Sequence, residues 1–140
     1  MTDFVELRLA NDLPGLAQLA GRVESFGAAQ RLPPDVVNAL NVVLDEAVSN
    51  AISHGYDAGV RGEIVVRLRR APDRVLLEVE DDGRPFDPLQ TPPPDLTLPL
   101  ERRPIGGLGV HLIRNLMDEV TYARVGGRNV LKMVKHLSRA

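Results

Sequence analysis

The sequence predicts an α+β fold in which helices cover one face of a mixed, mainly antiparallel sheet. Two kinds of pattern lead to this expectation. Runs of alternating apolar and polar residues predict five strands, and apolar residues at helical spacing predict three helices. Their order is strand, helix, helix, strand, strand, loop, helix, strand, strand. This order lacks the regular alternation of a doubly wound sheet and indicates a two-layer sandwich.

Length and composition restrict the class of protein. At 140 residues, the chain is expected to form a single domain, 1–140. Its hydrophobic share of 44% and charged share of 26% are those of a soluble globular protein. A net charge of −2 does not indicate binding to nucleic acid or to an anionic membrane surface. Without cysteine or an apolar run of signal or transmembrane length, the sequence predicts a cytoplasmic protein.

The first half of the chain predicts one strand and two helices. Phe4 to Leu9 alternates and is expected to form a half-buried strand. Asn11 or Asp12 can cap a helix from about Leu13 to Ala29. A second helix should begin near Pro34 and end near His54-Gly55, with Gly55 as its C-terminal cap.

The second half predicts two hairpins separated by a long loop. The first hairpin consists of strands Glu63–Arg70 and Arg74–Asp81, joined by a turn at 71–73. A helix is expected from Leu108 to Met117. The second hairpin consists of strands Glu119–Val125 and Val130–Leu137, joined by a turn at Gly126-Gly127. Seven of the eleven prolines fall between Pro85 and Pro104, where they disfavour regular structure. A loop of this length suggests a functional lid, at about 84–106.

Polar residues recur on one stripe of the second helix. Glu46, Asn50 and His54 are spaced four residues apart, so they rise along the same side of the helix. Their neighbours, including Ala47 and Ala51, are small and apolar. A solvated polar stripe would account for this spacing alone, and His54 is expected to close the helix by bonding locally. A carboxylate and a carboxamide framed by apolar residues are nevertheless costly to bury without partners.

Two downstream segments add groups suited to a nucleotide. Asp81 follows a strand, where its carboxylate could accept a hydrogen bond from the amine of adenine, and Gly83 lets the backbone approach the base. Gly106, Gly107 and Gly109 lead into a helix whose free amides suit phosphate oxygens. Each segment also has a simpler explanation, as a tight turn and a flexible helix entry respectively. No GxxxxGK[ST] string occurs in the chain, so this is not a Walker loop.

Taken together, LDEAVSNAISHGY, EVEDDGRPFDP and RRPIGGLGVHLIRNLMDEV resemble the N, G1 and G2 boxes of the GHKL ATPase superfamily. Within it, EAVSNAISHGY, LIRNLMDEV and the terminal VKHL resemble the small serine kinases that act as anti-sigma factors in bacterial partner switching. The resemblance covers nearly the whole chain. One departure is Asn129, which stands where the superfamily often has a threonine that supports the adenine-binding aspartate.

The resemblance implies a role for each candidate residue. Glu46 would be the catalytic base that activates a serine or threonine hydroxyl, and Asn50 would be a magnesium ligand. The remaining positions implied to bind ATP, alongside Asn50, are Asp81, Gly83, Gly106, Gly107, Leu108 and Gly109.

The resemblance also implies protein partners. These are a sigma factor and a STAS-domain anti-anti-sigma protein, and Arg22 on the first helix is the candidate contact. Related kinases form homodimers, and the apolar first strand would suit such an interface. Two other functions stay open at this point: a detached histidine-kinase ATPase domain, and an ATP-binding regulatory module without catalysis.

Overall fold

The structure, a computed structural model, describes residues 3–90, 97 and 108–137. Most of the expected lid, including Gly106 and Gly107, therefore lies outside the described residues. Among those residues, no helix has the length and apolar character needed to cross a membrane.

Five strands and four α-helices make up the described part of the chain. The strands are β1 (Phe4–Ala10), β2 (Glu63–Ala71), β3 (Arg74–Asp81), β4 (Glu119–Val125) and β5 (Arg128–His136). The α-helices are α1 (Leu13–Ala17), α2 (Leu19–Ala29), α3 (Pro34–Gly55) and α4 (Leu108–Leu116). A short 3₁₀ helix spans Pro88–Gln90.

The strands form one sheet in the order β1-β2-β3-β5-β4. All four neighbouring pairs are antiparallel, so the described sheet has none of the parallel pairs that a mixed sheet would contain. The predicted α+β class is confirmed by this architecture. Gly126 and Gly127 both have positive φ, 57° and 75°, and close the β4–β5 hairpin as predicted, because such a two-residue turn favours glycine.

The core lies between the sheet and the helices. Helix α3 contributes Leu40, Val43, Leu44 and Val48, all fully buried. These side chains meet the inner face of the sheet, where alternate residues of the central strands are buried in turn. Burying an aliphatic side chain stabilises a fold by about 1.5–3 kcal/mol. The long amphipathic helix is therefore fixed over the sheet, and its polar stripe is held in one position.

The predicted first helix is in fact two. Asp12 caps α1 by accepting a hydrogen bond from the Gly15 amide at 2.8 Å. A Cβ on Gly15 would lie 2.1 Å from the Ala10 carbonyl oxygen, so this glycine lets α1 pack on the end of β1. At Gln18 the amide bonds to the Gly15 carbonyl, three residues back, and the regular helix is interrupted.

The first strand does not present its apolar side to a partner. Leu7 and Leu9 are buried in the chain's own core, and Val5 packs against it. The outward side of β1 carries polar groups, with Glu6 paired to Arg67 at 3.0 Å. The outward side also carries Phe4, against which Arg69 packs, and β1 is an edge strand, so the homodimer stays a prediction.

Candidate nucleotide site

The polar stripe of α3 forms one wall of a cleft. Asn50 lines a pocket between α3, α4 and the sheet. One turn earlier, Glu46 lies against Gly109, since a Cβ on that glycine would be 2.3 Å from Glu46 Oε2. One turn later, the ring of His54 stacks on Phe86 with 4.3 Å between the ring centroids. The expectation that His54 closes the helix through a local bond was wrong, since its ring packs against the segment that crosses the pocket.

The pocket has a mostly apolar lining with few polar groups. Asn50, Asp81, Asn129 and Tyr122 supply its polar atoms. The rest of the lining is Ala47, Ala51, Val79, Phe86, Pro88, Ile113 and Leu131. An apolar cavity with a few placed polar groups is the usual form of a small-molecule site.

Asp81 is the buried carboxylate of this pocket and is only 5% exposed. Its Oδ1 accepts hydrogen bonds from Asn129 Nδ2 at 2.9 Å and from the Gly83 amide at 2.8 Å. Its Oδ2 accepts none from the described residues and is left for a bound molecule. Burial raises the pKa of Asp81, although the two hydrogen bonds oppose that rise.

Sheet register brings Asn129 to Asp81. The two residues pair directly across β3 and β5, and Arg124 of β4 pairs with Asn129 on its other side. Strand β5 begins at Arg128, two residues before the predicted start, so Asn129 lies within the sheet. The resemblance placed Asn129 at the position that supports the aspartate, and the strand register fixes it beside Asp81.

Gly83 lets the turn after β3 approach the backbone of Gly55 at the end of α3. A Cβ on Gly83 would lie 2.6 Å from the Gly55 carbonyl oxygen and 2.8 Å from its Cα. The Arg84 amide also donates to that carbonyl at 2.9 Å. Gly55 is the last residue of α3, and the residue at the C-cap is Tyr56, in an extended conformation. The prediction of Gly55 as the C-terminal cap was wrong, because the cap position falls on Tyr56.

Hydrogen bonds to Asp82 also fix the turn after β3. Asp82 accepts a hydrogen bond from the Tyr56 hydroxyl at 2.6 Å and another from the Glu63 amide at 3.1 Å. Burial opposes ionisation of Asp82, yet these bonds hold its pKa below the ordinary value. Asp82 therefore stays outside the pocket as a structural carboxylate, while its neighbour Asp81 points in.

The surroundings of Glu46 raise its affinity for a proton, as a general base requires. Partial burial raises its pKa, and the adjacent carboxylate of Asp45 raises it further. In the described part of the chain, no side chain donates a hydrogen bond or forms an ion pair to Glu46. Its carboxylate could therefore accept a proton from a bound hydroxyl group.

The other predicted residues fall in two places. Leu108 is the first residue of α4 and Gly109 the second, so this helix begins beside Glu46. Arg22 is exposed on α2, away from the pocket lining.

Sequence reasoning missed three contributors to the site: Phe86, Tyr122 and Arg124. Arg124 donates to the Gly83 carbonyl at 2.8 Å, and the Tyr122 hydroxyl donates to Asn129. Alternation along β4 could have placed both on the helix-covered face. Phe86 lies in irregular chain after the turn, where no periodicity indicates the direction of a side chain.

The comparison with known families decides the class of protein. The family described as the histidine kinase-like ATPase domain matches residues 9–135. The chain belongs to this family. As a member of this ATPase family, it is expected to bind ATP.

The similar proteins of this family include serine kinases. The chain is 34% identical to the serine/threonine-protein kinase BtrW of Bordetella bronchiseptica over 97 residues, which is 69% of this chain and 68% of that protein. It is 32% identical to the serine-protein kinase RsbW of Bacillus cereus over 124 residues, which is 84% of this chain and 76% of that protein.

Solved structures show the same fold. The RsbU and RsbW domains of a Mycobacterium tuberculosis protein match with a TM-score of 0.72 at 20% identity, over 99% of this chain. The chain spans 34% of that longer protein. A histidine kinase domain of Erythrobacter litoralis matches with a TM-score of 0.57 at 17% identity, over 89% of this chain and 60% of that one.

Proposed function

We propose that this protein is an ATP- and magnesium-dependent serine/threonine protein kinase. It would phosphorylate a STAS-domain antagonist and sequester a sigma factor when that antagonist is phosphorylated. The observation that carries the proposal is the arrangement of α3: Asn50 shares a pocket with Asp81, and Glu46 lies one turn away against Gly109 at the start of α4.

The residues present fit an adenine nucleotide. The free oxygen of Asp81 can accept a hydrogen bond from the exocyclic amine of adenine, whereas guanine carries an oxygen at that position. Most of the pocket lining is apolar, which suits the faces of the base. The described residues contain no cluster of three or more His, Cys, Asp or Glu side chains, so Asn50 would hold magnesium together with phosphate oxygens and water.

Each residue then has a distinct part in phosphoryl transfer. Bound magnesium-ATP would supply the phosphoryl group and the positive charge that stabilises its transfer. Asp81 orients the base, and Asn50 positions the metal. Glu46 accepts the proton of the substrate hydroxyl as that hydroxyl attacks. We assign the backbone amides of Leu108 and Gly109, at the start of α4, to the phosphates. The resemblance adds Gly106 and Gly107 to this assignment.

The protein partners are proposed from the relatives that are named serine kinases. A serine or threonine on a STAS-domain protein would be the substrate, and Arg22, exposed on α2, would contact the partners. Arg22→Ala is then expected to weaken binding of the STAS-domain protein without changing ATP affinity.

Direct binding and phosphate transfer test the proposal. Purified protein is titrated with ATP in a calorimeter, then incubated with radiolabelled ATP, magnesium and each STAS-domain protein of the source organism in turn. We expect acid-stable phosphoserine or phosphothreonine on one of them. Glu46→Gln should bind ATP with unchanged affinity and lower kcat by about 10²–10⁴-fold, the usual contribution of a general base.

The other outcomes have clear meanings. Absence of ATP binding would contradict the nucleotide site itself. Acid-labile phosphohistidine on a partner would indicate a histidine-kinase ATPase domain instead. ATP binding without turnover in the presence of a partner would indicate a regulatory module that has lost catalysis.

A further inference from the structure

Residues 86–90 form a short strap that passes along one side of the pocket. Phe86 and Pro88 line the pocket, and Pro88 is buried. The strap has a defined shape of its own, because the Asp87 carboxylate accepts a hydrogen bond from the Leu89 amide at 2.9 Å. This local bond shapes the strap but does not attach it to the rest of the fold.

The strap is attached to other elements at both ends. Near its beginning, the ring of Phe86 stacks on His54 of α3, with 4.3 Å between the ring centroids, and the Phe86 amide donates to Asn129 of β5 at 3.2 Å. Near its end, the Leu89 carbonyl accepts a hydrogen bond from the guanidinium of Arg114 in α4. The side chain of Leu89 also packs against the core. The strap is therefore held across the pocket between α3 and α4.

Arg114 makes its contact with the strap from the surface of the molecule. The residue is exposed, and its guanidinium makes no other hydrogen bond or ion pair with the residues that the structure describes. Its neighbour Ile113 is buried and lines the pocket. A cation in the last turn of a helix also interacts favourably with the helix dipole, but that interaction requires no contact with the strap.

Helix α4 thus meets the proposed ligand at two places. Its first residues lie beside Glu46 and are assigned to the phosphates, whereas Ile113 and Arg114 lie at the pocket and at the strap. The hydrogen bond from Arg114 to Leu89 joins this helix to the outer wall of the pocket. Opening of that wall requires the bond to break.

We propose that Arg114 is a positioning residue that holds the strap across the pocket and thereby slows the release of nucleotide. When the bond to Leu89 breaks, the strap moves away from the pocket and the base can leave. This inference rests on the proposed function, because it takes the ligand of the pocket to be ATP. It adds a residue outside the pocket that sets how long the nucleotide stays bound.

Two substitutions of Arg114 test the hydrogen bond. Arg114→Met removes the donor but keeps an aliphatic chain, and it should raise the dissociation rate constant of ATP by about fivefold, as expected for the loss of one hydrogen bond. The association rate constant should change little, because affinity differences between related variants lie mainly in dissociation. Arg114→Lys keeps a charged donor and should restore most of the wild-type dissociation rate.

A substitution within the strap separates its position from the charge of Arg114. Asp87→Ala removes the bond that shapes the strap and also removes a negative charge beside a site proposed for a polyanion. If charge alone governed retention, this variant would release ATP more slowly than the wild type. Because the strap loses its shape, we expect release to become about threefold faster instead.

Stopped-flow displacement measures the release rate on the full chain. ATP labelled with a fluorophore on its ribose is bound in the presence of magnesium and is then displaced by excess unlabelled ATP. Asn115→Ala is the matched control, because Asn115 is the next exposed residue of α4 and bonds to His111 instead of the strap. This control should release the nucleotide at the wild-type rate. Thermal unfolding checks that each variant is folded.

Failure of this inference is distinguishable from failure of the proposed function. If the wild type binds no ATP, the proposed nucleotide site is wrong. If it binds ATP but transfers no phosphate, only the kinase assignment fails, and the release rates still test Arg114. With ATP bound, either of two results overturns the inference: an Arg114→Met variant with the wild-type release rate, or an Asp87→Ala variant that releases ATP more slowly.

Discussion

Glu46 and Gly109 are in contact across the cleft, and this contact makes the glycine testable at the level of a single residue. The substitution Gly109→Ala would place a Cβ 2.3 Å from Glu46 Oε2, so the carboxylate must move. Movement of a flexible side chain costs little stability, but it displaces the proposed base. We expect kcat to fall by about 10–100-fold, since a misplaced catalytic group loses most of its effect.

Steady-state kinetics with the unphosphorylated partner as substrate, together with thermal unfolding, check the Gly109 prediction. The melting temperature should change little. Gly21→Ala is the control, because a Cβ there meets nothing within 4 Å in α2. An unchanged kcat in Gly109→Ala would place Glu46 outside the reaction.

The raised pKa of Glu46 predicts a pH dependence. The proposed base works only when ionised, so kcat should fall as the pH drops through its raised pKa. Asp45 contributes to that rise, and Asp45→Asn should therefore shift the acidic limb of the profile to lower pH. The shift should be well below one pH unit, because Asp45 is exposed and solvent screens its charge. A profile of kcat against pH measures it, and a shift to higher pH would contradict the assignment.

At the level of elements, the end of α3 and the turn after β3 pack closely because Gly83 has no side chain. Gly83→Ala would force a Cβ against the backbone of Gly55, at 2.6 Å from its carbonyl oxygen, and neither segment can yield easily. We expect a loss of about 2–3 kcal/mol in the free energy of unfolding, as in other overpacked sites.

Gly55→Ala is the matched comparison. Its Cβ would lie 3.5 Å from Asp81 Oδ1 and from the Cα of Gly83, which is ordinary contact, so the loss should stay below about 1 kcal/mol. Urea denaturation of both variants measures the difference. Equal losses would show that the close approach of these segments is unimportant.

The elements themselves were largely predictable, for physical reasons. Strands β3 and β4 have the bounds that alternation indicated, because one face of the sheet is buried and enforces a period of two. The break at Gln18 was not predictable, since it follows from the packing of Gly15 on Ala10. Asn129 was recognised as an unusual residue, but its four partners depend on the register between β3, β5 and β4. Local sequence patterns do not specify that register.

At the level of the whole molecule, the site has a cost in stability. Asp81 is a buried carboxylate whose pKa is raised, so the fold disfavours its charged form. Its destabilising effect is absent at low pH and appears as the pH rises through the raised pKa of the folded state. The nucleotide-free protein should therefore gain stability from Asp81→Asn at pH 7, because the amide carries no charge and can still accept the bonds of Asn129 and Gly83.

Binding of a nucleotide should reverse this order of stability. A ligand that binds only the folded state at 100 times its Kd stabilises that state by about 2.7 kcal/mol. The wild type should gain this amount with magnesium-ATP, whereas Asp81→Asn should gain almost nothing, because its amide presents a donor to the adenine amine. Thermal unfolding of both proteins at pH 7, with and without nucleotide, measures whether the order of their stabilities reverses. Two results would contradict the proposed role of Asp81 in binding the nucleotide. One is an Asp81→Asn variant that is less stable than the wild type without nucleotide. The other is a variant that magnesium-ATP stabilises as much as it stabilises the wild type.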